Sequence, residues 1–169
     1  MATTNKNTGI IIAIIIAIII VALYLTQKKT TVQVGDKQEI KVGIILGFTG
    51  PIESLTPAMA ASAELAFKEA SDSGSLLGGK RISVERADST CVDSAAATAA
   101  AEGLVSNGVV AIMGADCSGV TGAIATNVAV PNGVVMISPS ATSPGLTDLK
   151  DNGYFFRTAP SDARGGQVL

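Results

Sequence analysis

Two short polar stretches hold the residue types that could do chemistry. The first is Gly114, Ala115, Asp116, Cys117, Ser118 and Gly119, which follows the apolar run 109–113; the second is Ser138, Pro139, Ser140, Ala141 and Thr142, which follows the apolar run 134–137. Their hydroxyls donate and accept hydrogen bonds, and their small side chains leave the backbone open to approach. A helix after the first stretch would aim unpaired N–H groups at the same space. A small anionic group suits such a pair of loops. Singly, Ser118 reads as a helix cap and residues 138–143 as an ordinary turn; placed together on one sheet edge they read as a site. Asp116 reads as a solvated loop carboxylate, or as a partner for a ligand ammonium. Arg157 would face an anion or cover the sheet.

Other chemistries are excluded or unsupported. The chain contains no His, which rules out a Ser-His-Asp triad, a Cys-His dyad and His-ligated metal within it. With 12 Lys+Arg against 14 Asp+Glu and a net charge of -2, there is no basic surface for nucleic acid. Neither a G-x-G-x-x-G turn, a G-x-x-x-x-G-K-[ST] loop nor a G-x-S-x-G elbow occurs. Cys91 and Cys117 each fall just past the carboxyl end of a strand, on successive strands taken as neighbours. They form either a disulfide or two buried thiols, and the apolar N-terminus, by implying export, favours the disulfide. Two Cys without His are too few ligands for a metal site, and no cofactor is expected.

The elements that must position these residues follow from the hydropathy pattern. A first strand carries Ile40, Val42, Ile44, Ile45 and Leu46, with Gly47, Phe48, Thr49, Gly50 and Pro51 as its exit. Thr56 as N-cap with Pro57 opens a helix that lasts to Gly74. Residues 80–88 alternate around Ile82 and Val84 as an edge or half-buried strand. Asp93 or Ser94 caps an Ala-rich helix ended by Asn107 and Gly108. The central βαβ unit, 109–142, comes next. Tyr154, Phe155 and Phe156 make a fifth strand, and Ser161 and Asp162 open a further helix that the chain cuts off at Leu169. The order β-α-β-α-β-α-β-loop-β-α predicts an α/β fold, a doubly wound parallel sheet with helices on both faces, whose polar exits share the carboxyl edge. Because the chain stops inside a starting helix, a longer protein is expected.

Ahead of this domain, residues 9–25 are uncharged and dominated by Ile. As a helix they would reach roughly 25 Å at about 1.5 Å per residue, near the lower limit for a bilayer. No small-x-small cleavage site follows. The expectation is residues 1–29 as an uncleaved membrane anchor or signal, 30–38 as a linker and 39–169 as the folded lobe. Lys28 and Lys29 outnumber Lys6, which by the positive-inside count favours the opposite orientation.

The exit Gly47-Phe48-Thr49-Gly50-Pro51, the Cys91 and Cys117 pair, residues 134–142 and the stretch Phe156-Arg157-Thr158-Ala159-Pro160-Ser161-Asp162 together resemble the leucine/isoleucine/valine periplasmic binding proteins. These are the type I solute receptors of ABC importers, and the similarity covers roughly residues 40–169. The resemblance implies the N-terminal lobe of a two-lobed receptor that closes over an amino acid, with Cys91 and Cys117 as its disulfide. Ser118 and Thr142 would bind the ligand carboxylate. The carbonyl of Ser140, with Thr142, would take the ammonium, and Ala141 would lie between them in the site. Leu55 falls where an aromatic residue often lines the family's side-chain pocket, so amide, urea and other amino-acid receptors stay open beside the branched-chain ones. The implied partners are a small-molecule solute, an amino acid or a relative of one, an importer permease and, through the N-terminal run, a membrane. The location is extracytoplasmic. A ligand-sensing receptor ectodomain is the first alternative, and an α/β enzyme the second.

Overall fold

The computed structural model describes residues 39–75 and 78–168, together with residues 15–17 and 19. The latter are helical and half exposed at Ile15, Ile16 and Ile19. The rest of the expected anchor and the linker 30–38 lie outside the described residues. Among the described residues no helix is long and apolar enough to cross a membrane. The chain divides into two units, residues 1–36 and 37–169.

In the second unit the β-branched run forms strand β1 (Ile40–Leu46), buried from Val42 onward. Strands β2 (Ile82–Asp88), β3 (Ala111–Gly114), β4 (Val135–Ser138) and β5 (Phe155–Arg157) join it in one parallel sheet of order β2-β1-β3-β4-β5. Alternate residues of β1 serve opposite faces, as strand geometry requires. Ile44 and Leu46 pack with Ala60, Phe67 and Met59 of helix α1 (Thr56–Asp72). Ile45 points the other way into the larger core, with Ala97, Ala101 and Leu104 of helix α2 (Ser94–Ser106) and Val120 and Ile124 of helix α3 (Ser118–Ile124). Each fully buried Ile or Leu there contributes about 2 kcal/mol relative to exposure. Helix α3 continues as a π-helical turn, Ala125–Ala129.

Three expectations need correcting. First, β2 and β3 are not neighbours, because β1 runs between them. A right-handed crossover from β1 places β2 on one side, and the next crossover carries the chain back past β1 to lay down β3 on the other. Second, Thr56 is not the N-cap of α1. Leu55 holds that position without a side-chain bond, while Thr56 is fully buried and its Oγ1 donates to the Gly47 carbonyl at 3.0 Å. The buried carbonyl of the exit loop takes the hydroxyl that a cap would have used. Asp93 does cap α2, accepting from the N–H groups of Ala95 and Ala96. Third, the central strands are not buried on both faces. Helix α1 covers the β2 and β1 half, leaving Ile137 42% and Phe156 52% exposed. An open apolar hollow of about 190 Å³ lies beside them, lined by Val42, Phe67, Ala111, Met113 and Ile137. Helix α4 (Asp162–Val168) buries none of its residues.

Candidate ligand-binding site

Strand order reverses between β1 and β3. In open α/β sheets the crevice at the carboxyl ends of such a strand pair is where ligands bind. The exits of β1, β3 and β4 all open there. Gly114 ends β3 at φ 134°, and a Cβ on it would sit 2.0 Å from the Ile45 carbonyl oxygen. Only glycine lets β3 leave so close to β1. A larger hollow of about 450 Å³, lined by Glu39, Lys41, Lys80, Asn107 and Val110, lies at the opposite, amino edge and takes no part in these exits.

Asp116 is not a solvated loop carboxylate. It is 5% exposed, with Oδ2 accepting from the Gly47 N–H at 2.7 Å and Oδ1 from the Cys117 N–H at 2.9 Å and the Ser89 hydroxyl at 3.3 Å. One carboxylate therefore ties together the exits of β1, β2 and β3, and its oxygens are engaged by the protein itself. Cys91 and Cys117 form a disulfide with Cα atoms 5.2 Å apart. Since β2 and β3 are separated by β1, the bridge passes over the end of β1. Gly47 lies beneath it, where an added Cβ would come within 3.2 Å of Cys91 Cβ. Thr90 and Cys91 both have positive φ, 56° and 70°. Asp88 holds that turn, accepting from the Thr90 N–H at 2.8 Å, from the Thr49 N–H and from the Thr49 hydroxyl at 2.6 Å. Burial pushes the Asp88 carboxyl up, but the hydrogen bonds from the Thr49 side chain and from the Thr90, Thr49 and Phe48 backbone outweigh it. They hold the group below its ordinary value.

Ser118 and Thr142 are brought together. Cys117 occupies the N-cap of α3, and the Ser118 hydroxyl oxygen accepts the N–H groups of both Thr142 and Ser143 at 3.1 Å. Among the described residues the Ser118 hydroxyl proton has no acceptor and the Thr142 hydroxyl no partner. Ser138 and Ser140 are spent on the scaffold. Ser138 Oγ donates to the Ala115 carbonyl and accepts from Ala141 N–H, and Ser140 Oγ donates to the Asp116 carbonyl at 2.9 Å. Ala141 is 1% exposed and packs into the main core, so it anchors the loop from below. Leu55 stands at the same edge, 61% exposed.

Val92 escaped the sequence reading, and the partners of Arg157 were not foreseen. Val92, beside the disulfide, is 72% exposed at the carboxyl edge; one apolar residue in a polar turn carries no pattern. Arg157, expected to face an anion or to cover the sheet, is engaged by acceptors of the protein itself. Its Nη1 donates to the carbonyls of Ser143 and Ala141, and its Nη2 to the Thr147 hydroxyl. Its signal was a lone cation ending a very short apolar strand.

A parallel sheet of order 2-1-3-4-5 with hydroxyls converging at its switch point is an arrangement in which open α/β sheets bind small ligands. Known proteins agree. The periplasmic binding protein family matches residues 39–169. The leucine-specific-binding protein of Salmonella typhimurium is 34% identical over 128 residues, covering 76% of this chain and 34% of that protein. Among solved structures, a branched-chain amino acid transporter substrate-binding protein from Streptococcus pneumoniae in complex with isoleucine superimposes with a TM-score of 0.67. It is 33% identical over 75% of this chain and 35% of its own. A Desulfitobacterium hafniense ABC transporter substrate-binding protein in complex with Leu gives 0.66 at 31% identity, over 78% and 37%. The chain belongs to the periplasmic binding protein family, whose members of this kind are solute receptors rather than enzymes, and it spans about a third of the length of these relatives.

Proposed function

We propose that this chain is the first lobe of an extracytoplasmic receptor that captures a free amino acid and delivers it to an ABC importer. The observation that carries the reading is the pairing of Ser118 and Thr142 across the β3 and β4 exits, with one hydroxyl proton on Ser118 and the Thr142 hydroxyl left over. A ligand carboxylate accepts from these two hydroxyls. The ammonium donates to the Ser140 carbonyl and to Thr142 Oγ1. Leu55 contributes an apolar contact for the ligand side chain, and a second lobe supplies the opposite wall. The function is binding and closure, with no bond made or broken. Leucine and isoleucine in the names of the relatives support an aliphatic amino acid. The uncharged run 9–25 serves as an uncleaved membrane anchor that keeps the receptor at the outer face.

A thermal-shift and calorimetric screen of amino acids, amides and urea against the full-length protein tests this. At least one aliphatic amino acid should bind, and Thr142→Ala should weaken it by about 1 to 3 kcal/mol, the cost of leaving charged ligand groups underpaired. Binding of amides or urea only would move the site to that ligand class. Unchanged affinity in Thr142→Ala would remove this residue from the site.

A further inference from the structure

The loop 138–143 is held from behind by the segment that leaves β5. Thr158 N–H donates to the Ser138 carbonyl at 3.0 Å and Thr158 Oγ1 to the Pro139 carbonyl at 3.2 Å. Arg157 Nη1 donates to the Ala141 carbonyl at 3.3 Å and the Ser143 carbonyl at 2.8 Å, and Asp162 N–H donates to the Thr142 carbonyl at 3.0 Å. Within this stretch, among the described residues, only the Ser140 carbonyl accepts no hydrogen bond. We infer that Arg157 is a positioning residue of the amino-acid site: its guanidinium fixes the carbonyls on either side of Thr142, so that the Thr142 hydroxyl and the Ser140 carbonyl are the groups left to face the ligand. This rests on the reading of the site given above.

The chemistry favours arginine in this role. Its planar fork reaches two directions at once, Nη1 to the ligand loop and Nη2 to Thr147 Oγ1 at 2.7 Å just past the 3-10 turn Pro144–Leu146. An ammonium is a single point of charge and cannot hold both anchors in one geometry. A charged donor also strengthens the bond to each carbonyl. The loop carries no cation of its own, so the cation that steadies it has to come from another element.

The test uses the full-length protein, L-leucine as the probe, and amide hydrogen exchange without ligand. Arg157→Met keeps a long apolar stem and removes every donor; Arg157→Lys restores a single charged donor group without the fork. In Arg157→Met the dissociation constant for L-leucine should rise about tenfold or more, the loss of one or two charged hydrogen bonds. The Thr142 and Ser143 amides should exchange about tenfold faster while Ile44 and Ile45 in β1 stay unchanged, and Arg157→Lys should fall between. Affinity within twofold and unchanged loop exchange would overturn the inference. So would equal acceleration in the loop and in β1, which would make Arg157 a general stabiliser. Should the parent bind none of the screened amino acids while Arg157→Met still loosens Thr142 and Ser143 selectively, the amino-acid reading falls and the role of Arg157 in holding the loop stands.

Discussion

On the β1 and β2 side of the crevice, Asp88 and Asp116 gather the backbone N–H groups of Gly47, Thr49, Thr90 and Cys117. On the β4 and β5 side, Arg157 and the N–H groups of Thr158 and Asp162 gather carbonyls instead. The two walls are pinned by groups of opposite charge, and this decides what each can offer a ligand. A carboxylate consumes donors, so the first wall has given up N–H groups that would attract an anion. A guanidinium consumes acceptors, so the second wall has lost carbonyls that would repel one. In the proposed site the anionic end of a small solute is therefore better received beside Ser118 and Thr142 than beside the exit of β1, and Leu55, exposed on the first wall, would meet an apolar side chain.

The contrast can be broken from the acidic side first. Asp116→Ala should cost about 4 kcal/mol in urea unfolding, because it strands the Gly47 and Cys117 N–H groups and the Ser89 hydroxyl in a buried place. Asp116→Asn should cost less, since one oxygen remains. A loss under about 1 kcal/mol in Asp116→Ala would mean that the carboxylate is not what joins the three exits. The disulfide comes next. Thiol titration of unreduced, exported protein should find no free Cys, and replacing Cys91 and Cys117 by Ser should lower stability by about 3 kcal/mol for a loop of this size. Two reactive thiols would remove the covalent tie from this wall.

Asp88 gives the smallest effect and a pH signature. Its folded carboxyl is held below the ordinary value of 3.8, so its contribution is present above that pH and is lost as pH falls through the folded value. Asp88→Asn should lower stability at pH 7 by about 1 kcal/mol and should flatten the decline in unfolding midpoint as the pH falls below the ordinary carboxylate value. An unaltered acid slope would show that other carboxylates carry it.

Much of this was legible in the chain. The apolar runs around Ile44, Ile112 and Met136, punctuated by glycine and small polar residues, gave the strands and the parallel topology, while the place of β1 between β2 and β3 was missed. The hydroxyls of Ser118 and Thr142 could be placed on one edge because βαβ geometry leaves both exits there. The burial of Asp116 was not legible, since a carboxylate in a polar loop looks the same whether its partners are water or distant N–H groups. Its closest partner, Gly47, is 69 residues away. Thr56 was misread for the same reason. A Thr before Pro matches a cap, and its bond to Gly47 exists only once β1 and α1 have packed.

Local chemistry within the sequence determined the fold class, the disulfide-competent cysteines and the pair of hydroxyl-bearing loops, because period, turn residues and strand exits are short-range properties. Tertiary structure decided which groups remain free. It set β1 between the two cysteine-bearing strands, spent Asp116 on three exits, buried Ala141 and brought Arg157 behind the loop that holds Thr142. Each of these depends on contacts between residues far apart in the chain, where hydrogen-bond satisfaction is settled by the whole fold and not by any segment of it.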